Sequence, residues 1–251
     1  MEPDVDRVDE RQGAVFFDLD DTLYDQLAPF RESVKEWVAP ELLKNVDYSA
    51  LFYRFRHHSD VLWEPYCRGE LPLETMRMQR MALALAEFGI EADEQLCRRV
   101  QDAYLEEQGR VRYWPGVEAC LAELTESGCL LGIITNGPKE HQLRKLEALG
   151  IEAYIPRERW FISGAVGLTK PDPALFEYVN RETGTLPAYS AYIGDSWAND
   201  VEGALGAGWY SIWFNSRGNA AQEGKAPHLI VSDYTELASL IVRVQREKLI
   251  G

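Results

Sequence analysis

The stretch Ala14-Val-Phe-Phe-Asp-Leu-Asp-Asp-Thr-Leu23 predicts how the chain begins to fold. Its first four residues form an apolar run that is too short for a helix and fits a buried strand. Asp18, Asp20 and Asp21 follow at once, so the strand ends in a loop rich in carboxylates. In open parallel sheets polar sites lie beyond the carboxyl ends of the strands. We therefore expect chemistry to begin at Asp18.

Short apolar runs and amphipathic patterns alternate along the rest of the chain. The runs are bounded by Gly, Pro, Asn or Asp and are predicted strands, at 129–135, 160–163, 191–194, 210–214 and 229–231. The amphipathic patterns between or before them are predicted helices, at 117–126, 139–149, 173–182 and 197–205. This alternation predicts an α/β fold with a Rossmann-like, doubly wound parallel sheet that helices cover on both faces.

One interval is too long for a simple crossover between strands. More than a hundred residues separate the Asp18 loop from the strand at Leu130, whereas a crossover needs about a dozen. Helical patterns fill it, at 30–38, 51–62, 73–88 and 94–106. We predict that residues 27–108 form an inserted helical cap, that 13–26 and 109–251 form the α/β core, and that 1–12 form a flexible N-terminus. A C-terminal amphipathic helix is expected over 234–248.

Composition limits the class of protein. A hydrophobic content of 46% is enough for a substantial core. The four cysteines form no C-x-x-C pair and no cluster at zinc-ligand spacing, so neither a disulfide framework nor a zinc site is predicted. Residues 1–12 contain five acidic residues and no apolar segment typical of a signal peptide. The cysteine pattern fits a reducing cytoplasm, and no run approaches the roughly 18–20 apolar residues that span a bilayer. We therefore expect a cytoplasmic protein without a membrane partner.

The net charge of −15 limits the possible partners. A chain this acidic repels nucleic-acid polymers and anionic membrane surfaces, because binding to either needs a basic face. A small phosphorylated metabolite is compatible with this charge, provided that a metal ion and a few fixed cations reverse the field inside the site.

The first candidate site is the pair Asp18 and Asp20, two residues apart after a strand. One carboxylate can attack a phosphorus atom while the other transfers the proton of the leaving group. We predict that Asp18 is the nucleophile and that Asp20 is the general acid and then the base. An Asp-rich turn that caps a helix is the structural alternative.

Three further features lie at the end of a predicted strand or in the loop after one. Thr135 and the backbone N–H of Asn136 can bind phosphoryl oxygens, and Lys170 lies in a loop stiffened by two prolines. Asp195 and Asp200 offer two carboxylates suited to Mg²⁺, with Asp195 as the direct ligand and Asp200 as support for a bound water or for Lys170. Alone, each feature has an ordinary explanation as a turn, a surface lysine or a helix cap. Their order along the chain would bring them together around Asp18.

These motifs resemble those of the haloacid dehalogenase superfamily of phosphatases. The likeness consists of DLDDTL at 18–23, Thr135, Lys170 within KPDP, and GDSWAND at 194–200. It implies an aspartyl-phosphate at Asp18, acid–base catalysis by Asp20, and phosphoryl contacts from Thr135 and Lys170. It also implies Mg²⁺ held by Asp18, Asp195 and the backbone carbonyl of Asp20.

The position of the insert adds a finer likeness. An insert directly after the first motif resembles the C1-type helical cap of subfamily I. Within it, the pattern Trp63-x-x-Tyr66-x-x-Gly69, followed by 77–81, resembles the nucleotidase-related branch.

The expected function is Mg²⁺-dependent hydrolysis of small phosphate monoesters, of the nucleoside monophosphate or sugar phosphate type. A phosphomutase would keep every core residue and differ in how its cap excludes water. A 2-haloacid dehalogenase uses the nucleophile without a carboxylate at position 20, so Asp20 disfavours it. A phosphonate-cleaving enzyme would need a cap lysine in a context that Lys35 and Lys44 do not match. A catalytically silent binding module stays open, as does the choice between monomer and homodimer.

Overall fold

The computed structural model describes residues 13–250, with side chains described as far as residue 244. The chain divides into two compact units. Among the described residues, the sheet unit contains 13–25 and 112–250, and the helical unit is Gln26–Val111. The ends predicted for the cap, 27 and 108, lie one and three residues from these bounds. The expectation for 1–12 falls outside the described residues.

The sheet unit is built on six parallel strands in the order β3-β2-β1-β4-β5-β6. They are β1 Ala14–Phe17, β2 Leu130–Thr135, β3 Trp160–Ile162, β4 Ser190–Gly194, β5 Tyr210–Phe214 and β6 Leu229–Val231. The α/β prediction is confirmed. Phe17 at the end of β1 pairs with Ile133 of β2 and Ile193 of β4. Asp18 therefore leaves the sheet at its centre, and its N–H donates to the carbonyl of Ile193 at 2.8 Å.

The helical unit has its own apolar core. Its helices are α1 Leu27–Trp37, α2 Pro40–Leu43, α3 Tyr48–Cys67, α4 Leu73–Ala86 and α5 Glu94–Gln108. Aromatic side chains from three of them pack together: the ring centroids of Phe30 and Phe55 lie 4.7 Å apart, and Tyr104 meets Phe55 edge-on at 5.7 Å. The short helix α2, which begins at a proline, was not predicted, because four residues are too few to show a helical period.

The remaining helices belong to the sheet unit. They are α6 Val117–Glu126, α7 Lys139–Leu149, α8 Ser163–Val166, α9 Pro173–Thr183, α10 Glu202–Gly206 and α11 Leu237–Ile250. The predicted helix at 197–205 differs in form, because Trp197–Val201 is a π-helical turn that precedes α10. The carbonyl of Ser196 accepts from the N–H groups of both Asp200 (2.8 Å) and Val201 (3.2 Å), which widens this turn.

Close packing explains a glycine in the middle of β2. A Cβ atom on Gly132 would lie 2.5 Å from the ring of Phe16. That ring packs in turn against Trp209 in a tilted arrangement, with centroids 4.9 Å apart. Gly132 thus leaves room for the Phe16 ring on the neighbouring strand, as close packing of a protein interior requires.

Within residues 13–250, no helix combines the length and the apolar composition needed to cross a lipid bilayer.

Candidate active site

The carboxyl edge of the sheet gathers the polar residues that follow β1 and β4. Asp18 follows β1, Asp200 lies in the π-helical turn after β4, and Lys170 lies in the loop before α9. The Nζ atom of Lys170 lies 2.7 Å from Oδ1 of Asp18 and 2.7 Å from Oδ1 of Asp200. All three side chains are buried. The structure therefore joins three distant segments of the chain through one buried ammonium.

The ammonium of Lys170 is fixed by three acceptors. Besides the two carboxylates, the hydroxyl of Tyr192 accepts from it at 2.8 Å and itself donates to the carbonyl of Ile134 at 2.7 Å. Burial alone would lower the pKa of Lys170, but the carboxylates of Asp18 and Asp200 hold that pKa above its usual value. Lys170 is thus a permanent positive charge beside Asp18.

The pKa of Asp18 is affected most by the burial of its carboxyl group. Burial raises the pKa of Asp18 to about 6; Lys170 opposes this shift and the carboxylate of Asp200 adds to it. One oxygen of Asp18 accepts from Lys170, while the other accepts from the Thr22 hydroxyl in a longer contact of 3.3 Å. Since a carboxylate oxygen carries two lone pairs, the second oxygen keeps capacity for a further partner.

Asn136 holds the loop that carries Lys170. Its Nδ2 donates to the carbonyl of Lys170 at 3.0 Å, and its Oδ1 accepts from the N–H of Lys170 at 3.0 Å. The sequence had suggested a role only for the backbone N–H of Asn136. The structure adds a side-chain role, which is to fix the backbone from which the Lys170 side chain extends.

Asp200 is placed by the glycine that ends β4. Its Oδ2 accepts from the N–H of Ser196 at 2.9 Å. A Cβ atom on Gly194 would lie 2.3 Å from the same oxygen, well inside van der Waals contact. Only glycine at this position lets the carboxylate of Asp200 lie against the strand end and reach Lys170.

The donor set fits a divalent cation. Carboxylate oxygens of Asp18, Asp195 and Asp200 lie within 4.8 Å of one another, and hard oxygen donors are the ligands that Mg²⁺ prefers. Both oxygens of Asp200 accept short hydrogen bonds, from Lys170 at 2.7 Å and from Ser196 at 2.9 Å, whereas Oδ2 of Asp18 accepts from Thr22 in a longer contact of 3.3 Å. Asp18 and Asp195 are therefore the better candidates for direct ligands. The carboxylate of Asp20 is not in this cluster, and only its backbone carbonyl was predicted as a ligand.

The carboxylate of Asp20 is instead enclosed by donors from α7. The Nζ atom of Lys145 lies 2.5 Å from both of its oxygens, and Nε2 of Gln142 donates to Oδ2 at 3.0 Å. The hydroxyl of Tyr24 donates to Oδ1. Burial alone would raise the pKa of Asp20, but Lys145, with these hydrogen bonds, holds the pKa well below its usual range. These contacts favour the carboxylate form of Asp20.

Lys145 and Gln142 were missed by the sequence analysis, although the sequence carries a signal for them. The buried residues of α7 are Gln142, Lys145, Leu146 and Leu149, which follow the i, i+3, i+4, i+7 spacing of a helix face that packs inward. Two polar residues on such a face are unusual, because lysine is almost never fully buried unless it is paired.

Gln142 also contacts the end of β2. Its Nε2 lies 2.6 Å from Oγ1 of Thr135 and 2.9 Å from the carbonyl of Asn136. Gly137 makes room for it, because a Cβ atom there would lie 2.8 Å from Cδ of Gln142. Gly137 also has φ of +152°, a conformation that L side chains rarely adopt.

A second ion-pair group lies beside the first motif. The guanidinium of Arg217, in the loop after β5, donates to both oxygens of Asp21 at 2.5 and 2.7 Å and to Oδ1 of Asp25 at 2.7 Å. These contacts fix the segment from Asp21 to Asp25, where the first part of the sheet unit ends. Nothing in the spacing of Arg217 along the chain pointed to this contact.

Comparison with known proteins places the chain in a family. The model of the haloacid dehalogenase-like hydrolases matches residues 13–208. A phosphoserine phosphatase of Thermus thermophilus is 36% identical over 56% of this chain, and the match spans 55% of that relative's length. The human N-acylneuraminate-9-phosphatase is 27% identical over 92% of this chain and 94% of its own length. Pyrimidine 5'-nucleotidase YjjG of Escherichia coli is 26% identical over 91% of this chain and 97% of its own.

Solved structures of two related hydrolases share the fold. The HAD-hydrolase YfnB of Bacillus subtilis, bound to magnesium, has a TM-score of 0.70 at 22% identity and covers 92% of this chain and 99% of its own. An L-2-haloacid dehalogenase of Xanthobacter autotrophicus has a TM-score of 0.68 at 18% identity, covering 92% and 98%. The family match confirms the resemblance seen in the motifs at 18–23, 135, 170 and 194–200. The chain belongs to the haloacid dehalogenase-like hydrolases.

Proposed function

We propose that this hydrolase cleaves small phosphate monoesters through an aspartyl-phosphate on Asp18. The observation that carries the proposal is the buried ammonium of Lys170, 2.7 Å from Asp18 and 2.7 Å from Asp200, beside the carboxylate of Asp195. A carboxylate can approach a phosphate dianion only where positive charge offsets their repulsion. Phosphoryl transfer then depends mainly on positioning and electrostatic stabilisation.

In the first step an oxygen of Asp18 forms a bond to phosphorus while the bond from phosphorus to the ester oxygen breaks. Asp20 takes up a proton before this step, although Lys145 favours its carboxylate form, and gives that proton to the ester oxygen, so the leaving group departs as an alcohol. The Thr135 hydroxyl and the Asn136 backbone N–H bind phosphoryl oxygens, and the Lys170 ammonium offsets their negative charge.

In the second step Asp20, now a carboxylate, takes a proton from water. The water oxygen bonds to phosphorus while the bond from phosphorus to Asp18 breaks. Inorganic phosphate leaves, Asp18 is again a carboxylate, and Asp20 carries the proton for the next cycle.

Asp18, Asp195 and the backbone carbonyl of Asp20 are the proposed ligands of Mg²⁺, with Asp200 supporting through Lys170. When bound, Mg²⁺ supplies positive charge that neutralises the phosphoryl oxygens and the surrounding carboxylates. The all-oxygen cluster of carboxylates supports this assignment.

We propose that the helical unit acts as a cap that selects the alcohol part of the substrate. Relatives named for phosphoserine, N-acylneuraminate 9-phosphate and pyrimidine nucleotides support a small phosphorylated metabolite as the substrate class. A nucleoside monophosphate or a sugar phosphate fits this class. The acidic charge of the chain supports an enzyme that does not act on nucleic-acid polymers.

Dehalogenation is the rival that the fold allows. It needs no acid to protonate its leaving group, because a halide departs as a stable anion. In this chain the carboxylate of Asp20 is held by Lys145, Gln142 and Tyr24, an arrangement that a dehalogenase would not require. A phosphomutase of the same fold would use the same core residues and differ in what accepts the phosphoryl group.

The test is Mg²⁺-dependent release of p-nitrophenol from p-nitrophenyl phosphate. We expect turnover by the wild-type protein and its loss in Asp18→Asn and Asp20→Asn, while Asp102→Asn, an exposed carboxylate-to-amide control on α5, keeps wild-type activity. Chloride release from 2-chloropropionate without phosphatase turnover would show a dehalogenase instead. Ranking a panel of monoesters by kcat/KM then identifies the substrate class, and product analysis with a bisphosphorylated sugar tests for a mutase.

A further inference from the structure

We propose that Lys145 and Gln142 of α7 are positioning residues that set the orientation of the Asp20 carboxylate for proton transfer. The inference rests on the proposed function, because it concerns how the acid–base group of that reaction is aimed. Neither residue is part of the motifs at 18–23, 135, 170 and 194–200 that identify the family in this chain.

The geometry gives the Asp20 carboxylate one orientation. A single ammonium 2.5 Å from both oxygens lies on the bisector of the carboxylate, so rotation of the carboxyl group would break one of the two contacts. Nε2 of Gln142 adds a third contact, at 3.0 Å to Oδ2. The side chain of Asp20 is therefore held by three hydrogen bonds from one rigid helix.

The two side chains of α7 that contact Asp20 are both buried. Lys145 is only 2% exposed, and Gln142 only 1%. Replacing a buried ion pair by apolar residues is often neutral or stabilising, so stability alone is a weak reason for a lysine at this position. A need to orient Asp20 accounts for both residues.

Gln142 contacts both Asp20 and Thr135, the predicted phosphoryl-binding residue. The same Nε2 atom lies 2.6 Å from Oγ1 of Thr135 and 3.0 Å from Oδ2 of Asp20. Gly137 leaves the space that this amide occupies, because a Cβ atom there would lie 2.8 Å from Cδ of Gln142. The distance between the group that binds the phosphoryl oxygens and the group that protonates the ester oxygen is thereby set by one side chain.

The experiment compares two substrates of similar shape that differ in their need for an acid. p-Nitrophenolate leaves without a proton, whereas the alkoxide of p-nitrobenzyl phosphate must be protonated as it leaves. The value of kcat/KM reports the steps up to formation of the aspartyl-phosphate. We expect Lys145→Met to lower kcat/KM by about 100-fold for p-nitrobenzyl phosphate and by less than about 10-fold for p-nitrophenyl phosphate.

Gln142→Leu should change the same ratio in the same direction by a smaller factor, about 5- to 10-fold, because the ion pair remains. Lys145→Arg should recover most of the ratio, since a guanidinium can also donate to both carboxylate oxygens. Arg144→Met is the matched control, because it removes a cation from an exposed position on the same helix and should leave both kcat/KM values unchanged.

Equal losses for the two substrates in Lys145→Met would overturn the inference, because a merely structural role does not depend on the leaving group. If circular dichroism shows that Lys145→Met does not fold, Lys145→Gln and Gln142→Leu decide the matter, and a wild-type ratio in both overturns it. Absence of turnover of both substrates by the wild-type protein is a different result, and it refutes the proposed function itself.

Discussion

Replacing Gly194 by alanine tests whether the position of Asp200 matters for activity. The added Cβ atom would lie 2.3 Å from Oδ2 of Asp200, and real Cβ atoms almost never approach another atom closer than 3.0 Å. The carboxylate must therefore retreat by about 0.7 Å from the strand end. Its contact with Nζ of Lys170, now 2.7 Å, would lengthen beyond good hydrogen-bonding distance.

The size of the effect follows from that displacement. A misplacement of about 1 Å in a catalytic group costs on the order of 100-fold in rate, so we expect kcat/KM of Gly194→Ala to fall about 10- to 100-fold. Overpacking a buried site typically costs about 1–3 kcal/mol, so the free energy of unfolding should fall by a similar amount. The protein should still fold, because the rest of β4 is unchanged.

The assays are kcat/KM for p-nitrophenyl phosphate and unfolding in urea. Gly206→Ala is the matched control, because its Cβ atom would meet only Cγ of Pro173 at an ordinary 3.5 Å. It should keep wild-type activity. If Gly194→Ala is folded and keeps more than half of the wild-type kcat/KM, the link from Gly194 through Asp200 to Lys170 is not needed for activity, and the reasoning fails.

Three other predictions concern stability and the metal. Asp47→Ala removes the side chain that accepts from two N–H groups at the start of α3 and should cost about 1 kcal/mol in urea unfolding, with activity retained; no change in stability would refute the capping role. Arg217→Met removes the guanidinium that holds the buried Asp21 and should cost about 2 kcal/mol, which a shift below about 0.5 kcal/mol would contradict. Chelation should abolish turnover and Mg²⁺ should restore it; Mg²⁺ should also raise the Tm of the wild-type protein but not of Asp195→Ala, and an equal rise in both would exclude Asp195 as a ligand.

Elements with a clear local pattern were predicted well. The bounds of α6 and α7 agree with the spacing of their apolar residues, and the apolar run of β1 gave the strand that ends at Asp18. The prediction failed where a local pattern was too short or where the backbone hydrogen bonds departed from those of an α-helix. The helix α2 has only four residues, and the turn at Trp197–Val201 is π-helical because one carbonyl, that of Ser196, accepts from two N–H groups.

Part of the candidate site was also predictable from local patterns in the sequence. Asp18 and Asp195 each follow a strand directly and Thr135 ends one, and the strands are parallel, so their carboxyl ends must meet at one edge of the sheet. The contact of Lys170 with Asp18 was expected from its motif. The role of the Asn136 side chain was not, since it depends on how two loops meet 34 residues apart along the chain.

The sequence by itself determined the order of strands and helices, the carboxylates at the strand ends and the resemblance to the family, because each of these depends on neighbours within a few residues or on a motif. Only the tertiary structure decided which side chains complete the site. Lys145 and Asp20 are 125 residues apart, and Arg217 and Asp21 are 196 apart. The physical reason is that a helix or strand period fixes which face a residue occupies, whereas its partner is fixed by how those faces pack across the sheet.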